Sequence, residues 1–316
     1  MTPGLPVRFF HKKLLVFEKN VDICQTMKNF EIINLEDYFQ SGEGGQALAY
    51  TRKDGGAMAK MFLFGLGTET IESEFRKSLA VYESGIPCPR PLRLVTDGEH
   101  YGAEYEVIAG KRSFTRIISE EPEQLEPLSI RFAQMGKKLH STPANTAVFP
   151  DMKEVVRPWI EKSTCISEAL RGRLLAALDS IPSVTNCVHG DFHIGNIITD
   201  GKKDYWIDLG DFAYGAPEWD LSMNFYLAYY MSPEYMENLF HIDTASFRRH
   251  WSCLVKSYYG LHTQEEQRAK EKEMLKFTVL KLYLFFCKRH NGEGEPEPKL
   301  EGLANAFLAG MAPGVF

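Results

Sequence analysis

The segment "CVHGDFHIGNIITDGKKDYWIDLGD", at residues 187–211, is rich in side chains with hard oxygen atoms, and three of them, Asp191, Asn196 and Asp208, are candidates for a reactive site. Asn196 and Asp208 carry the amide and carboxylate oxygens that Mg²⁺ takes as ligands beside nucleotide phosphates. Asp191, on the loop that enters the segment, is free to orient or deprotonate a hydroxyl group. These residue types predict a site for phosphoryl transfer.

A hairpin would bring these oxygens together. "NIIT" and "YWID" are typical of short strands, and the Asp-Gly pair in "DGKKD" favours a tight turn between them. Because a strand rises about 3.3 Å per residue, the returning strand carries Asp208 back towards Asn196. The alternative is an Asx-rich turn that only caps a hairpin, but turn capping requires neither the flanking aliphatic strands nor the lysine and glutamate found upstream.

Composition excludes several classes of protein. The chain has 316 residues, is 44% hydrophobic and carries a formal charge of -6 without a long block of one sign, so nucleic acid is not expected as a partner. The six cysteines are scattered, which predicts neither a zinc site nor a disulfide framework and favours a cytoplasmic location. The longest apolar run, "FTVLKLYLFF", is interrupted by Lys281 and is too short for a membrane span.

The chain divides into two halves of different pattern. After an expected N-terminal extension at residues 1–28, in which Met27 offers an alternative start, residues 29–108 show short strand-like segments and one helix over about 69–84. We expect Ile71, Phe75, Leu79 and Tyr82 to form the apolar stripe of that helix. "PRPLRLVTDGEHYGAEYEVI" predicts two strands joined by an Asp-Gly turn.

Residues 109–316 are mostly helical in pattern. Apolar residues repeat at three and four positions within "EQLEPLSIRFAQMGKKLHSTP" and predict a helix that ends before Pro143. Further helices are predicted at 165–180, 219–231 and 265–290, and "GEGEPEPKLEG" near 292–302 is expected to be a solvated loop.

Eight short motifs follow one another along the chain: "SGEGGQA", "AKMF", "ESEF", "ESGIPCP", "YEVIAG", "HGDFHIGN", "IDLGD" and "PEWDL". This ordered set resembles the aminoglycoside phosphotransferase and choline kinase-like family, in particular its uncharacterised bacterial members. The resemblance covers about residues 29–230. It implies an α+β, bilobal protein kinase-like fold with a small N-terminal β-sheet lobe, residues 29–108, that binds nucleotide. The implied larger helical lobe, residues 109–316, carries the catalytic loop and the acceptor-binding helices.

The resemblance also implies roles for individual residues, with ATP and Mg²⁺ as cofactors. Asp191 is the implied base or hydroxyl-orienting residue, and Asn196 and Asp208 are the implied metal ligands. Lys60 would contact the ATP phosphates and pair with Glu74, although helical geometry alone does not exclude Glu72. The implied nucleotide loop is Ser41, Gly42, Gly44 and Gly45, and it departs from a full G-x-G-x-x-G pattern. The implied adenine-binding segment is Glu106, Val107 and Ile108. His189 and Asp220 are implied to support the catalytic loop.

The leading hypothesis is therefore an ATP- and Mg²⁺-dependent kinase for a hydroxyl group of a small molecule. Aminoglycosides, choline-like alcohols, homoserine-like compounds and sugars all remain open as acceptors, because the fold does not choose among them. A catalytically silent nucleotide-binding module is the alternative. A metallophosphoesterase, suggested by "GDFH", is disfavoured because no second histidine cluster is present to supply a two-metal site.

Overall fold

The computed structural model describes residues 29–43, 47–63 and 67–315. The expected extension at 1–28 and the loop glycines Gly44 and Gly45 lie outside the described residues. Two compact units are present. Of the described residues, the first unit comprises 29–112 together with 197–210, and the second comprises 113–196 with the chain from Asp211 onward.

The first unit is built on a mixed six-stranded sheet of order β1-β5-β6-β4-β3-β2. Its strands are β1 (Glu31–Ile32), β2 (Tyr38–Glu43), β3 (Ala47–Arg52), β4 (Met58–Phe62), β5 (Pro91–Thr96) and β6 (Tyr101–Tyr105). All neighbours pair antiparallel except β1 and β5. The predicted hairpin of β5 and β6 is confirmed, and its turn contains Gly98 with φ +95°.

One helix, α1 (Thr68–Glu83), contacts β5 and β6. The helix is confirmed, but its predicted apolar stripe is wrong, because Leu79 and Tyr82 are 36% and 40% exposed. The buried positions are Ile71, Ser78, Ala80 and Val81. A polar contact explains the rotation: the helix turns Glu74 towards the lysine on β4, and the stripe containing Leu79 is left outside.

The hairpin predicted from residues 196–208 is confirmed and belongs to the first unit. Strands β9 (Ile197–Thr199) and β10 (Asp204–Trp206) pair antiparallel, with Ile197 opposite Trp206. The N–H of Trp206 donates to the carbonyl of Pro87 at 2.9 Å, so the hairpin is tied to the "GIPCP" turn that follows α1. Strand β7 (Arg112–Ser113) lies where the chain passes from the first unit to the second.

The second unit is helical. Its helices are α2 (Phe114–Glu120), α3 (Leu125–His140), α4 (Met152–Lys162), α5 (Glu168–Asp179), α6 (Glu218–Tyr230), α7 (Pro233–Phe240), α8 (Thr244–Tyr259), α9 (Gln264–Arg289) and α10 (Pro298–Leu308). Two short strands, β8 (Cys187–Val188) and β11 (Ala213–Tyr214), pair antiparallel beside the catalytic-loop sequence. Helix α3 packs on α8, and α6 packs on α9.

Four of the predicted helices are confirmed with small shifts at their ends, namely α3, α5, α6 and α9. The loop expected at 292–302 is wrong from Pro298 onward, where α10 begins with a proline at its first position and buries Leu300, Ala304 and Phe307. Helices α2, α4, α7 and α8 were not predicted. Within the described ranges, no helix is both long and apolar enough to cross a membrane.

Candidate active site

A lysine and two carboxylates meet in the first unit. Strand β4 places Lys60 between Ala49 and Ala103 in the middle of the sheet. Its ammonium lies 2.7 Å from Glu74 Oε1 on α1 and 3.0 Å from Asp208 Oδ1, which follows the β9–β10 hairpin. Three residues from separate motifs thus form one charged cluster.

The contacts of α1 distinguish Glu74 from Glu72. Glu72 accepts a hydrogen bond from Asn29 Nδ2 at 3.2 Å, whereas Glu74 contacts Lys60. The "IDLGD" segment is also held against this helix, since Lys77 Nζ donates to the carbonyl of Gly210 at 2.7 Å. A Cβ at Gly210 would come within 2.8 Å of Glu74 Oε2, so glycine permits the close approach.

The cluster favours a charged lysine. Burial acts to lower the pKa of Lys60, but the charges of Asp208 and Glu74 outweigh it and raise the pKa above its ordinary value. The side chain of Asp208 is 52% exposed and its backbone has φ +60°, an uncommon conformation for a residue other than glycine. The cluster therefore presents a fixed cation beside an accessible carboxylate, which suits binding of a metal-complexed phosphate.

The expected nucleotide loop is described only in part. Ser41 and Gly42 lie in β2, next to an irregularity in its pairing with β3. The hydroxyl of Ser41 accepts a hydrogen bond from Thr51 Oγ1 at 2.8 Å, so this side chain is engaged within the sheet. A phosphate contact from this strand would therefore come from its main chain, and that role stays a prediction.

The expected adenine segment follows β6 without regular structure. The N–H of Glu106 donates to the carbonyl of Arg90 at 2.9 Å, which ties the segment to the chain before β5. Ile108 is buried and Val107 is partly buried. Because the N–H of Glu106 is already used, the groups left for an adenine ring are its carbonyl and the main chain of Val107 and Ile108.

In the second unit, the catalytic-loop sequence arranges Asp191, Asn196 and His193 together. Asn196 Nδ2 donates to the carbonyl of Asp191 at 2.8 Å and to Asp191 Oδ2 at 3.2 Å. His193 Nε2 lies 3.4 Å from the same Oδ2. Two groups therefore hold one carboxylate oxygen of Asp191, Oδ2.

The environment of Asp191 makes it a weak base. Burial acts to raise its pKa, but His193, His189 and Lys281 outweigh that effect and hold the pKa well below its ordinary range. A carboxylate with a low pKa removes a proton poorly before bond formation begins. Asp191 is therefore suited to orienting a hydroxyl group and to taking its proton late in a transfer.

Asp220 binds the backbone of the loop that carries Asp191. Its side chain is fully buried, and its two oxygens accept the N–H groups of His189 at 2.6 Å and Gly190 at 2.9 Å. His140 Nε2 contacts the same carboxylate at 3.0 Å, while Nδ1 of that ring lies 2.8 Å from the hydroxyl of Tyr258. Burial opposes ionisation of Asp220, but the hydrogen bond and charge of His140 outweigh it, so the pKa is lowered.

Three contributors to the loop were missed from sequence. His140 ends α3 on its buried face, Asn224 Nδ2 donates to the carbonyl of Phe192 at 2.8 Å, and Lys281 donates to the carbonyl of Gly190. Lys281 had a visible signal, because it is a charged residue inside an apolar run. His140 and Asn224 had none, since single polar residues on helices are ordinarily solvated.

The donors present fit Mg²⁺. Because the amide nitrogen of Asn196 is turned to Asp191, its Oδ1 is the atom left for a cation. Asp208 contacts Lys60 through Oδ1. An amide oxygen and a carboxylate oxygen are each of the hard type that Mg²⁺ takes beside phosphate oxygens and water, and the assignment of Asn196 and Asp208 as its ligands stays a prediction.

Comparison with known proteins decides the family. The sequence model of the phosphotransferase enzyme family matches residues 47–249, which is more than half of the chain. The chain belongs to this family. The matched range contains Lys60, Glu74, Asp191, Asn196 and Asp208, so these five residues lie within the part that matches the family. No curated protein sequence matches the chain.

Solved structures of this family's kinases share the fold. A choline/ethanolamine kinase family protein from Mesorhizobium loti is 15% identical, with a TM-score of 0.51 over 86% of this chain and 85% of that one. Choline kinase LicA from Streptococcus pneumoniae is 12% identical, with a TM-score of 0.50 over 89% and 93%. The GDP and kanamycin complex of APH(2″)-IIia is 16% identical, with a TM-score of 0.50 over 90% and 96%. The predicted α+β, kinase-like fold is confirmed.

Proposed function

We propose that this phosphotransferase family member moves the γ-phosphoryl group of ATP to a hydroxyl group of a small molecule, with Mg²⁺ as cofactor. The observation that carries the proposal is the contact of Lys60 with both Glu74 and Asp208. Glu74 lies 14 positions and Asp208 148 positions from Lys60 along the chain, and the three residues come from three motifs. A lysine fixed in this way is ready to bind phosphate oxygens.

Each part of the nucleotide has a proposed partner in the first unit. The main chain of Glu106, Val107 and Ile108 receives the adenine ring, and Lys60 contacts the α- and β-phosphates. Glu74 holds the lysine in position through the 2.7 Å contact. Ser41, Gly42, Gly44 and Gly45 belong to the strand and turn that we propose cover the phosphates.

Asp191 is the proposed catalytic residue. Its carboxylate accepts the hydrogen bond of the acceptor hydroxyl and aligns the attacking oxygen with the γ-phosphorus. Asn196 and Asp208 would hold Mg²⁺, which would neutralise charge on the phosphate oxygens. Asp220 and the main chain of His189 keep the loop in the geometry that the transfer needs.

The acceptor is a small alcohol. Among solved relatives, LicA is a choline kinase and APH(2″)-IIia binds kanamycin, so an amine-bearing alcohol is a reasonable first class to test. The formal charge of -6 also disfavours an anionic acceptor, although weakly. We place the protein in the cytoplasm, and the unbridged cysteines of the described chain agree with a reducing compartment.

The test is Mg²⁺-dependent ADP release by the purified protein with a panel of acceptors: aminoglycosides, choline-like alcohols, homoserine and sugars. Asp191→Asn is the control, since it keeps the shape of the side chain and removes its charge. Release that an acceptor stimulates and that disappears in Asp191→Asn supports the proposal and names the acceptor class. Nucleotide binding without release under any acceptor would favour the catalytically silent module instead, and absence of nucleotide binding would contradict both.

A further inference from the structure

A lysine lies completely buried beneath the catalytic loop. Lys281 is in the second half of α9, where its helix neighbours Leu280 and Leu282 are also buried, and it is only 1% exposed. Burying an ammonium group costs several kcal/mol, on the order of the penalties found for single ions in proteins, unless other groups compensate it. A lysine at such a position therefore needs a partner that offsets the cost of burying its ammonium group.

The partner is the backbone of the catalytic loop. The ammonium of Lys281 donates a hydrogen bond to the carbonyl oxygen of Gly190, the residue directly before Asp191. Asp220, Asp211 and Asp191 lie near enough for their charges to act on Lys281, and the ring of Phe285 lies 5.1 Å from the ammonium. Burial nevertheless lowers the pKa of the lysine.

Gly190 has no side chain to restrict its backbone angles, so contacts with other residues must fix its conformation. It has φ +83°, and an added Cβ would lie 2.0 Å from the carbonyl oxygen of Asp211. Glycine reaches this conformation easily but also leaves it easily, because it lacks the steric limits of other residues. Two side chains fix it here: Asp220 accepts its N–H at 2.9 Å, and Lys281 binds its carbonyl.

The carbonyl of Gly190 belongs to the peptide unit that ends at the nitrogen of Asp191. Because that unit is planar, the direction of the carbonyl sets the direction in which the backbone enters Asp191. A side chain 91 positions later in the chain thus contacts the peptide unit directly before the proposed catalytic carboxylate.

We propose that Lys281 is a positioning residue of the phosphotransfer site, which fixes the Gly190–Asp191 peptide unit and thereby the Asp191 carboxylate. The inference rests on the proposed function in what it says about turnover, but not in what it says about the loop. Lys281 acts through the loop and not on the substrate. Its loss therefore affects the rate of transfer more than the binding of nucleotide.

Hydrogen exchange followed by mass spectrometry tests the loop directly and needs no substrate. In Lys281→Met, which has a similar length and no charge or donor, amides of residues 188–192 should exchange about tenfold faster than in the wild-type protein, because a clamped peptide unit opens more rarely than a released one. Lys270→Met is the matched control on the same helix, where the lysine pairs with Glu273 near the surface. Exchange in this control should equal that of the wild-type protein.

Turnover is the second measurement. With an acceptor found in the panel above, Lys281→Met should lower kcat by about 10- to 100-fold with the KM for ATP within about twofold, as expected for a misplaced reacting group. Its thermal midpoint should also fall, because loss of the ammonium removes the buried hydrogen bond to the Gly190 carbonyl and the positive charge beside the nearby aspartates. Wild-type exchange in residues 188–192 would overturn the inference, whatever the activity. Failure of the wild-type protein to transfer phosphate would instead overturn the proposed function.

Should Lys281→Met lose its cooperative unfolding transition, Lys281→Gln provides the same readings. Glutamine keeps a donor but is shorter and uncharged, so it should give faster exchange in residues 188–192 than the wild-type protein and a smaller increase than methionine. Equal exchange in Lys281→Gln and the wild-type protein, together with equal kcat, would again contradict the positioning role.

Discussion

Replacing Asp220 with asparagine should destabilise the protein strongly, because three donors converge on this buried carboxylate. An asparagine amide has one oxygen. If that oxygen takes the place of Oδ2, it keeps the bonds from His189 and His140, and the amide nitrogen then faces the N–H of Gly190. Loss of a bond to a charged group costs about 1.5–3 kcal/mol, and the stranded donor costs about 1–3 kcal/mol more. We expect a total of about 2–5 kcal/mol, since the two costs overlap in part.

The effect should also depend on pH. The pKa of Asp220 is lowered in the folded protein, so its stabilisation is complete above the unfolded-state pKa of about 4 and is lost as pH falls through the lower folded value. The difference between wild-type protein and variant should therefore be constant around neutral pH. It should shrink only in acid, below about pH 4.

Urea denaturation at neutral pH, followed by tryptophan fluorescence, measures the change. Asp179→Asn is the matched control, because its carboxylate is 61% exposed and pairs with Arg157 at the surface. The control should cost less than about 1 kcal/mol. If Asp220→Asn were no more destabilising than Asp179→Asn, the three hydrogen bonds would not carry the loop, and our account of its support would be wrong.

Three further substitutions test the site. Asp191→Asn should reduce the rate of phosphoryl transfer by at least about a thousandfold. The Kd for nucleotide, measured by calorimetry, should change less than about threefold. Retained turnover would reject Asp191 as the acceptor-aligning residue. Lys60→Met should raise the KM for ATP and lower kcat by about tenfold or more, and an unchanged KM and kcat in steady-state assays would contradict its phosphate contact. Gly190→Ala should lower the thermal midpoint by several degrees, because a Cβ at this position would lie 2.0 Å from the carbonyl oxygen of Asp211. Gly172→Ala is the control, since a Cβ at Gly172 has no heavy atom outside its own helix backbone within 4 Å. Equal midpoints for the two variants would refute the packing argument.

The spacing of apolar residues and the turn residues predicted the helices and strands near the site, but did not predict which face of a helix packs against the rest of the protein. The β9–β10 hairpin follows from its Asp-Gly turn, and α3 follows from apolar residues spaced by three and four. In α1 the same spacing selected Leu79 and Tyr82, which are exposed. A periodic stripe describes the helix alone, whereas its rotation depends on the sheet beneath and on the contact between Glu74 and Lys60.

The missed helices show a second limit. Helix α4 contains Pro158, and α7 is only eight residues long, so both lack the long uninterrupted pattern from which a helix is recognised. Tertiary packing stabilises them in place of local propensity: α4 buries Met152, Val156 and Ile160 against the unit. For the same reason the helix from Pro298 was taken for a loop.

The sequence by itself determined the chemical groups of the candidate site, because the loop that carries Asp191 and Asn196 and the hairpin that precedes Asp208 are both specified by adjacent residues. Only the tertiary structure decided which distant groups complete it. Lys60 contacts Asp208 across 148 positions, and Lys281 contacts Gly190 across 91. Such contacts leave no periodic trace, because they depend on how whole elements pack and on the requirement that every buried charge find a partner there.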